Sequence, residues 1–129
     1  VKENTLSDPP LVTNKDCEEF IKIRGRGWVC KVNNQIIGFL IVDLRDYNVS
    51  ALFLLQSYEG QRISRKLHDV MVVWYFKKTK KSIWLGTSQN TRAEEFYRKA
   101  GWTKVGTHGK DEIKFEMTFA NWILREQTI

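Results

Sequence analysis

Read from Arg62 to about Thr79, apolar residues recur at Ile63, Leu67, Val70, Met71 and Trp74. That spacing of i, i+4, i+7, i+8 and i+11 predicts one buried face of a long α-helix. Upstream the period is different. Trp28–Val32 and Ile36–Leu44 read as strands joined through Asn33-Asn34-Gln35, and asparagine tolerates the left-handed backbone of a tight hairpin turn. A second turn is expected at Asp46-Tyr47-Asn48. Ser50–Gln56 is nearly continuous in apolarity, which predicts a strand buried on both faces. After the long helix, Ser82–Thr87 reads as another strand, so strand, helix and strand form a βαβ unit with the two strands parallel. A second helix opens at Asn90 or Thr91, where Thr91 and Glu94 have capping-box spacing. Ala93, Phe96, Tyr97 and Ala100 form its buried face, and Gly101 its stop. A hairpin follows, Thr103–Thr107 and Glu112–Phe119, with Ile113, Phe115, Met117 and Phe119 alternating as in a half-buried strand. Asn121–Glu126 is expected to add one helical turn.

The N-terminal part is less patterned. Up to about residue 14 it is polar with Pro9-Pro10, and an irregular or extended course is expected. Asn14 is placed to cap a short helix over Lys15–Ile23, with Cys17, Phe20 and Ile21 at helical spacing and Gly25 and Gly27 ending it. There is no repeat, low-complexity tract or linker, so residues 1–129 are read as a single α+β domain with a mixed sheet.

Composition narrows the class. With 129 residues, 42% apolar and 16 aromatics, the chain can bury one real core and is not disordered. No apolar run approaches the ~20 residues that span a bilayer, and the first residues lack a signal-peptide stretch. Two cysteines, Cys17 and Cys30, argue against a disulfide framework and for a cytoplasmic location. Together with His68 and His108 they have no metal-ligand spacing, so no metal site is expected. Asn48-Val49-Ser50 is a formal glycosylation sequon without weight in a cytoplasmic chain.

The net charge is +6, and its placement is informative. Between Gly60 and Lys81 seven basic residues (Arg62, Arg65, Lys66, Lys77, Lys78, Lys80 and Lys81) accompany one acid, Asp69. The lysines sit where the helix C-terminus favours positive charge. Arg62, Arg65 and Lys66 sit at its start, where unpaired backbone N–H groups and the dipole attract anions. The segment Gln56-Ser57-Tyr58-Glu59-Gly60-Gln61-Arg62-Ile63-Ser64-Arg65-Lys66-Leu67 is thus a candidate phosphate or pyrophosphate loop; a plain strand-to-helix loop with solvated basic residues is the alternative. It contains neither a Walker sequence nor G-x-G-x-x-G.

These elements, the Glu59–Ser64 loop and Asn90-Thr91-Arg92-Ala93-Glu94-Glu95-Phe96-Tyr97-Arg98-Lys99-Ala100-Gly101-Trp102 resemble the GCN5-related N-acetyltransferases, the GNAT superfamily. That family's loop reads Gln/Arg-x-x-Gly-x-Gly/Ala, and its later helix Asn-x-x-Ala-x-x-x-Tyr-x-x-x-Gly-Phe. Ile37-Gly38-Phe39 in the earlier hairpin fits too, and the likeness runs from about Trp28 to Phe119. The resemblance implies a GNAT-like, mostly antiparallel central sheet flanked by helices, with a shortened N-terminal region over 1–27. It implies acetyl-CoA as cosubstrate and a primary amine as acceptor. Backbone groups of Leu54, Leu55 and Gln56 would hold the pantetheine arm, amides of Gly60, Gln61, Arg62, Ile63, Ser64 and Arg65 the pyrophosphate. Asn90 would reach the pantetheine, and Tyr97 would protonate the departing thiolate. Three positions depart from the family pattern: Glu59 for Gln/Arg, Arg62 for Gly and Ser64 for Gly/Ala. Trp102 stands where the pattern has Phe. No carboxylate lies on the buried strand; Asp43 and Asp46 are the nearest in sequence, and ordered water is the other route for deprotonating the amine. The short N-terminal part implies an acceptor site that is either open or completed by a second subunit, the second alternative making a homodimer. A catalytically silent GNAT-fold domain that binds CoA or a protein partner is the alternative function. A membrane partner is not expected, and a nucleic-acid partner is disfavoured because no binding motif or aromatic interleaving accompanies the lysines.

Overall fold

The computed structural model describes residues 11–13, 16–22 and 25–127. The expectations for residues 1–10 and for Asn14 as a helix cap lie outside them. Among the described residues seven strands form one sheet in the order β1-β2-β3-β4-β5-β7-β6. They are β1 (Cys17–Lys22), β2 (Gly25–Val32), β3 (Gln35–Asp43), β4 (Asn48–Leu54), β5 (Ile83–Ser88), β6 (Thr103–His108) and β7 (Glu112–Met117). Three α-helices accompany them among the described residues: α1 (Ile63–Lys78), α2 (Arg92–Lys99) and α3 (Phe119–Gln127). Every strand pair is antiparallel except β4 with β5. The expected α+β class with a mixed, mostly antiparallel sheet is what the chain adopts.

Local chemistry explains most of these elements. Asn33 and Asn34 both take left-handed φ values, 52° and 66°, so β2 and β3 are joined by a two-residue turn of the expected kind. Thr91 caps α2 by accepting from the Glu94 N–H at 3.2 Å, while the Glu94 carboxylate accepts from the Asn90 N–H at 2.7 Å. Gly101 follows α2 at φ 98°, a backbone value that L side chains rarely adopt.

Helix α1 buries more than the one predicted face. Ile63, Leu67 and Met71 are buried as expected, but so are His68, Val72, Tyr75 and Phe76, whereas Val70 is half exposed. The second stripe exists because α1 lies on the sheet and also receives α2 and α3. Phe76 stacks on Trp122 at 5.2 Å and meets the Phe119 ring at 5.7 Å. Packing of those two half-buried aromatics on the core, with Thr118 Oγ1 accepting from the Asn121 N–H, extends the expected single turn into the nine residues of α3. At the other end of α1 the lysine run lies over rings: Lys78 over Trp74, Lys80 over Phe119 and Lys81 over Tyr47. Their charge thus serves cation–π contacts as well as the helix end.

Two expectations fail in the N-terminal part. Cys17–Lys22 is an edge strand paired with β2, not part of a helix. Its helical spacing spans under two turns, too little to stabilise a helix alone, and the hydrogen bonds offered by β2 decide. Gly25 and Gly27, expected to end a helix, instead lie within β2. The strand pairing puts Cys17 opposite Cys30, and the two form a disulfide with Cα atoms 3.9 Å apart, contrary to their reading as ordinary cysteines.

Candidate functional site

Strands β4 and β5 share a single bridging pair, Asn48 with Trp84. The Trp84 N–H donates to the Tyr47 carbonyl at 3.0 Å, and its indole Nε1–H to the Asp46 carbonyl at 3.0 Å. Beyond this pinned vertex the strands part, leaving an open V on the α1 side. Leu52 and Leu54 present their side chains to it. The cleft measures about 800 Å³ and is closed by the start of α1 on one side and α2 on the other.

The chain leaves β4 through Leu55, whose N–H is taken by the Ile37 carbonyl at 2.8 Å. Gln56–Gln61 form a 3₁₀ turn, whose i→i+3 pattern occupies backbone donors internally. Gly60 therefore serves as turn residue, with open space around it. The Gln61 side chain accepts from the Val12 N–H at 2.8 Å. Arg62 then adopts φ 60°, ψ 28°, the left-handed conformation at which the family pattern has glycine. For a non-glycine residue this costs about 1–2 kcal/mol. The first bond within α1 runs from the Lys66 N–H to the Arg62 carbonyl at 3.1 Å. The amides of Ile63, Ser64 and Arg65 precede it and have no partner inside the helix.

Of the residues singled out from the sequence, Leu54, Arg62, Ser64, Arg65 and Tyr97 line this one cleft. Ile63 contributes only backbone, because its side chain is in the core. Leu55, Gln56, Gly60 and Gln61 form the rim turn without lining the cleft, and Asn90, exposed just ahead of α2, does not line it either. Tyr97 is only 5% exposed, packed against Phe96, Trp102 and Phe115. Burial pushes its phenol well above the ordinary tyrosine range, so it stays protonated at any physiological pH.

Sequence reading missed several members. Arg92 and Lys99 add positive charge to the α2 wall, and Phe96 adds an apolar surface. Arg92 donates to the Glu59 carboxylate across the cleft, offsetting the acid that replaces the family's Gln/Arg. Asp69 is the second carboxylate lining the cleft. Burial pushes its pKa up, but the hydrogen bond from His68, then the charge and hydrogen bond of Arg65, outweigh this and hold it below its ordinary value. Asp43 sits at the closed end of the V, paired with Asn48, and its Oδ1 accepts from the N–H groups of Arg45 and Asp46. It is a turn-forming carboxylate. Among the described residues no group of three or more His, Cys, Asp or Glu is arranged to hold a metal, and no helix is long and apolar enough to cross a membrane.

The profile of a family described as "Acetyltransferase (GNAT) family" matches residues 2–102. No curated protein sequence matches the chain. Similar solved structures include an acetyltransferase from Streptococcus agalactiae 2603, with TM-score 0.66 and 18% identity over 73% of this chain and 66% of that one. The PaiA N-acetyltransferase of Thermoplasma acidophilum in complex with coenzyme A has TM-score 0.64 and 21% identity, covering 71% and 59%. A GNAT family acetyltransferase from Elizabethkingia anophelis with acetyl-CoA bound has TM-score 0.61 and 18% identity, covering 74% and 76%. The chain spans 64% of the length of two further matched structures. At these identities the likeness is one of fold.

Proposed function

The chain belongs to the GNAT acetyltransferase family, and from that premise we propose that it transfers an acetyl group from acetyl-CoA to a primary amine. The observation that carries this reading is the convergence of three features on one cleft. They are the parted β4 and β5, the open first turn of α1, and the buried phenol of Tyr97. Backbone groups of Leu54 and Gln56, with the carbonyl of Leu55, whose N–H is already held by Ile37, take the pantetheine arm at the rim of the V, and Asn90 reaches it from just outside the cleft. The diphosphate lies at the first turn of α1, against the amides of Ile63, Ser64 and Arg65, with Arg62 and Arg65 supplying charge. Gly60 and Gln61 shape the turn that delivers those amides. Attack of an amine on the thioester expels a thiolate, and Tyr97 holds the proton that neutralises it. Water takes the amine proton, because the two carboxylates of the cleft are already engaged, Glu59 with Arg92 and Asp69 with His68 and Arg65.

A homodimer is part of this reading. The stacked Phe39–Phe53 pair supports it, lying on the sheet face away from the cleft with Phe53 39% exposed. So is a cytoplasmic location, because acetyl-CoA is an intracellular metabolite; a cytosolic Cys17–Cys30 pair would then be bonded only transiently.

The test is calorimetric titration with acetyl-CoA and CoA, followed by release of free thiol with a panel of primary amines. Saturable binding with amine-dependent thiol release is expected. Binding without release for any amine would favour the silent CoA-binding domain, and absence of binding at millimolar ligand would reject the proposal. The Glu59–Arg92 pair offers a finer measurement. Glu59→Gln removes a negative charge beside the diphosphate and frees Arg92, and should tighten CoA by roughly 3- to 5-fold, the scale of one partly exposed charge. Weaker binding in this variant would mean that Glu59 holds Arg92 in its binding pose.

A further inference from the structure

His68 is 4% exposed and has no part in the chemistry above. Its ring is nevertheless fully committed. Trp102 Nε1 lies 2.8 Å from His68 Nε2, and an indole nitrogen can only donate. His68 Nε2 must therefore be the unprotonated acceptor, which places the ring proton on Nδ1. Nδ1 in turn lies 2.9 Å from Asp69 Oδ1, to which it donates. Asp69 Oδ2 accepts from Arg65 Nε at 3.3 Å. The four residues make one continuous hydrogen-bonded chain that runs from Arg65, which lines the cleft, to Trp102, which is buried behind Tyr97 of the α2 wall. Arg65 is in the first turn of α1. Trp102 follows α2, packs on the Tyr97 ring at 5.6 Å, and its backbone N–H donates to the Tyr97 carbonyl at 3.0 Å. The His68 ring also meets Phe96, the neighbour of Tyr97, edge-on at 5.6 Å.

We propose that His68 is a positioning residue for the proton donor: through Arg65–Asp69–His68–Trp102 it holds Tyr97 in register with the helix turn that binds the diphosphate. This rests on the proposed coenzyme site and on the role given there to Tyr97. Asp69 selects the tautomer. Without its carboxylate the ring can carry its proton on Nε2, and two donors then face each other at Trp102. Arg125 and Glu126 of α3 border the same side of His68 and are the other charged groups near it.

The experiment compares Trp102→Phe, His68→Leu, Asp69→Asn and His68→Gln in the full chain, with acetyl-CoA and the most reactive amine of the panel. Calorimetry with CoA comes first. Trp102→Phe keeps an aromatic ring but removes the donor, and His68→Leu removes both bonds. Asp69→Asn alters a side chain that is 55% exposed and leaves the core untouched. These three should lower kcat by ~10- to 100-fold, the scale of displacing a catalytic group by about an ångström. KM and the Kd for CoA should stay within about 3-fold in Trp102→Phe and His68→Leu, which leave the diphosphate turn intact, whereas Asp69→Asn removes a cleft carboxylate and frees Arg65, and should tighten CoA by roughly 3- to 5-fold. His68→Gln, whose amide can accept from Trp102 and donate to Asp69, should stay within roughly 5-fold of the unaltered chain.

Unchanged kcat in folded His68→Leu overturns the proposal, as does a His68→Gln as impaired as His68→Leu. If His68→Leu does not fold, Asp69→Asn decides: unchanged kcat overturns. If the unaltered chain binds CoA but acetylates no amine, the Tyr97 ring resonances in the CoA complex are read instead. A shift in Asp69→Asn supports the proposal and constancy overturns it. Absence of CoA binding by the unaltered chain defeats the functional reading itself and this inference with it, whereas unaffected variants of a binding chain defeat this inference alone.

Discussion

Tyr97→Phe is expected to lower amine acetylation by ~10²- to 10³-fold while leaving CoA affinity within about 2-fold, the range in which one positioned proton donor contributes. The asymmetry follows from where the phenol sits. The ring belongs to the core, held by Phe96, Trp102 and Phe115. Phenylalanine keeps all of that packing, so the variant should be within about 1 kcal/mol of the original stability, the usual net worth of a single hydroxyl. Only the proton is lost. Because burial raises the Tyr97 pKa, the phenol is a reluctant acid toward water, but a thiolate expelled beside the apolar side chains of Leu52, Leu54 and Phe96 is a strong local base. The measurement is single-turnover thiol release at saturating acetyl-CoA, with calorimetry alongside. Undiminished release would assign the proton to water and leave Tyr97 as a core residue. Loss of CoA binding would mean instead that the hydroxyl shapes the cleft.

How much of this was legible in the sequence depended on the range of the interaction that decides each feature. Helices α1 and α2 and strand β7 carry their own periodicity, so their residues announced them; β7 buries Ile113, Phe115 and Met117 in the expected alternation. It ends at Met117, however, and Phe119, expected as its last inward residue, opens α3 instead. The hairpin at Asn33-Asn34 and the stop at Gly101 were equally local, because each needs a left-handed backbone. β1 was not legible. Its Cys17, Phe20 and Ile21 fit a helix better than a strand, and only the neighbouring β2 reverses that preference. The disulfide was lost with it, since a helix over residues 15–23 would not set Cys17 against Cys30. At the site, the left-handed Arg62 could be anticipated from a glycine position in the family pattern. The Glu59–Arg92 and His68–Trp102 contacts could not, because they join residues 33 and 34 positions apart on different elements. The roles of Leu54, Tyr97 and the first-turn amides depend on the V between β4 and β5, which exists only because the parallel pair is reduced to Asn48 and Trp84.

Placing an acid in the first turn of α1 should separate the two uses of that turn. Ser64→Asp is expected to stabilise the fold by ~0.3–1 kcal/mol, because a carboxylate near a helix N-terminus meets the unpaired amides and the positive end of the dipole. The same substitution should weaken CoA by ~30- to 1000-fold. A carboxylate about 4 Å from a doubly charged diphosphate, in a partly screened cleft, costs about 2–4 kcal/mol by Coulomb's law. It would also occupy the amides of Ile63, Ser64 and Arg65 that the diphosphate needs. Ser64 is suited to this test because it lines the cleft while the neighbouring Ile63 carries the core packing of that turn. A general structural defect would lower stability and binding together. A rise in Tm accompanied by loss of CoA binding can come only from competition between two anions for one helix turn. Thermal denaturation and calorimetry on the same preparation decide it: unchanged affinity in a stabilised Ser64→Asp would move the diphosphate away from α1. Repeating the titration at higher salt adds a check on cause, since repulsion between charges in an open cleft should shrink as ionic strength rises, whereas blocked amides would not be released.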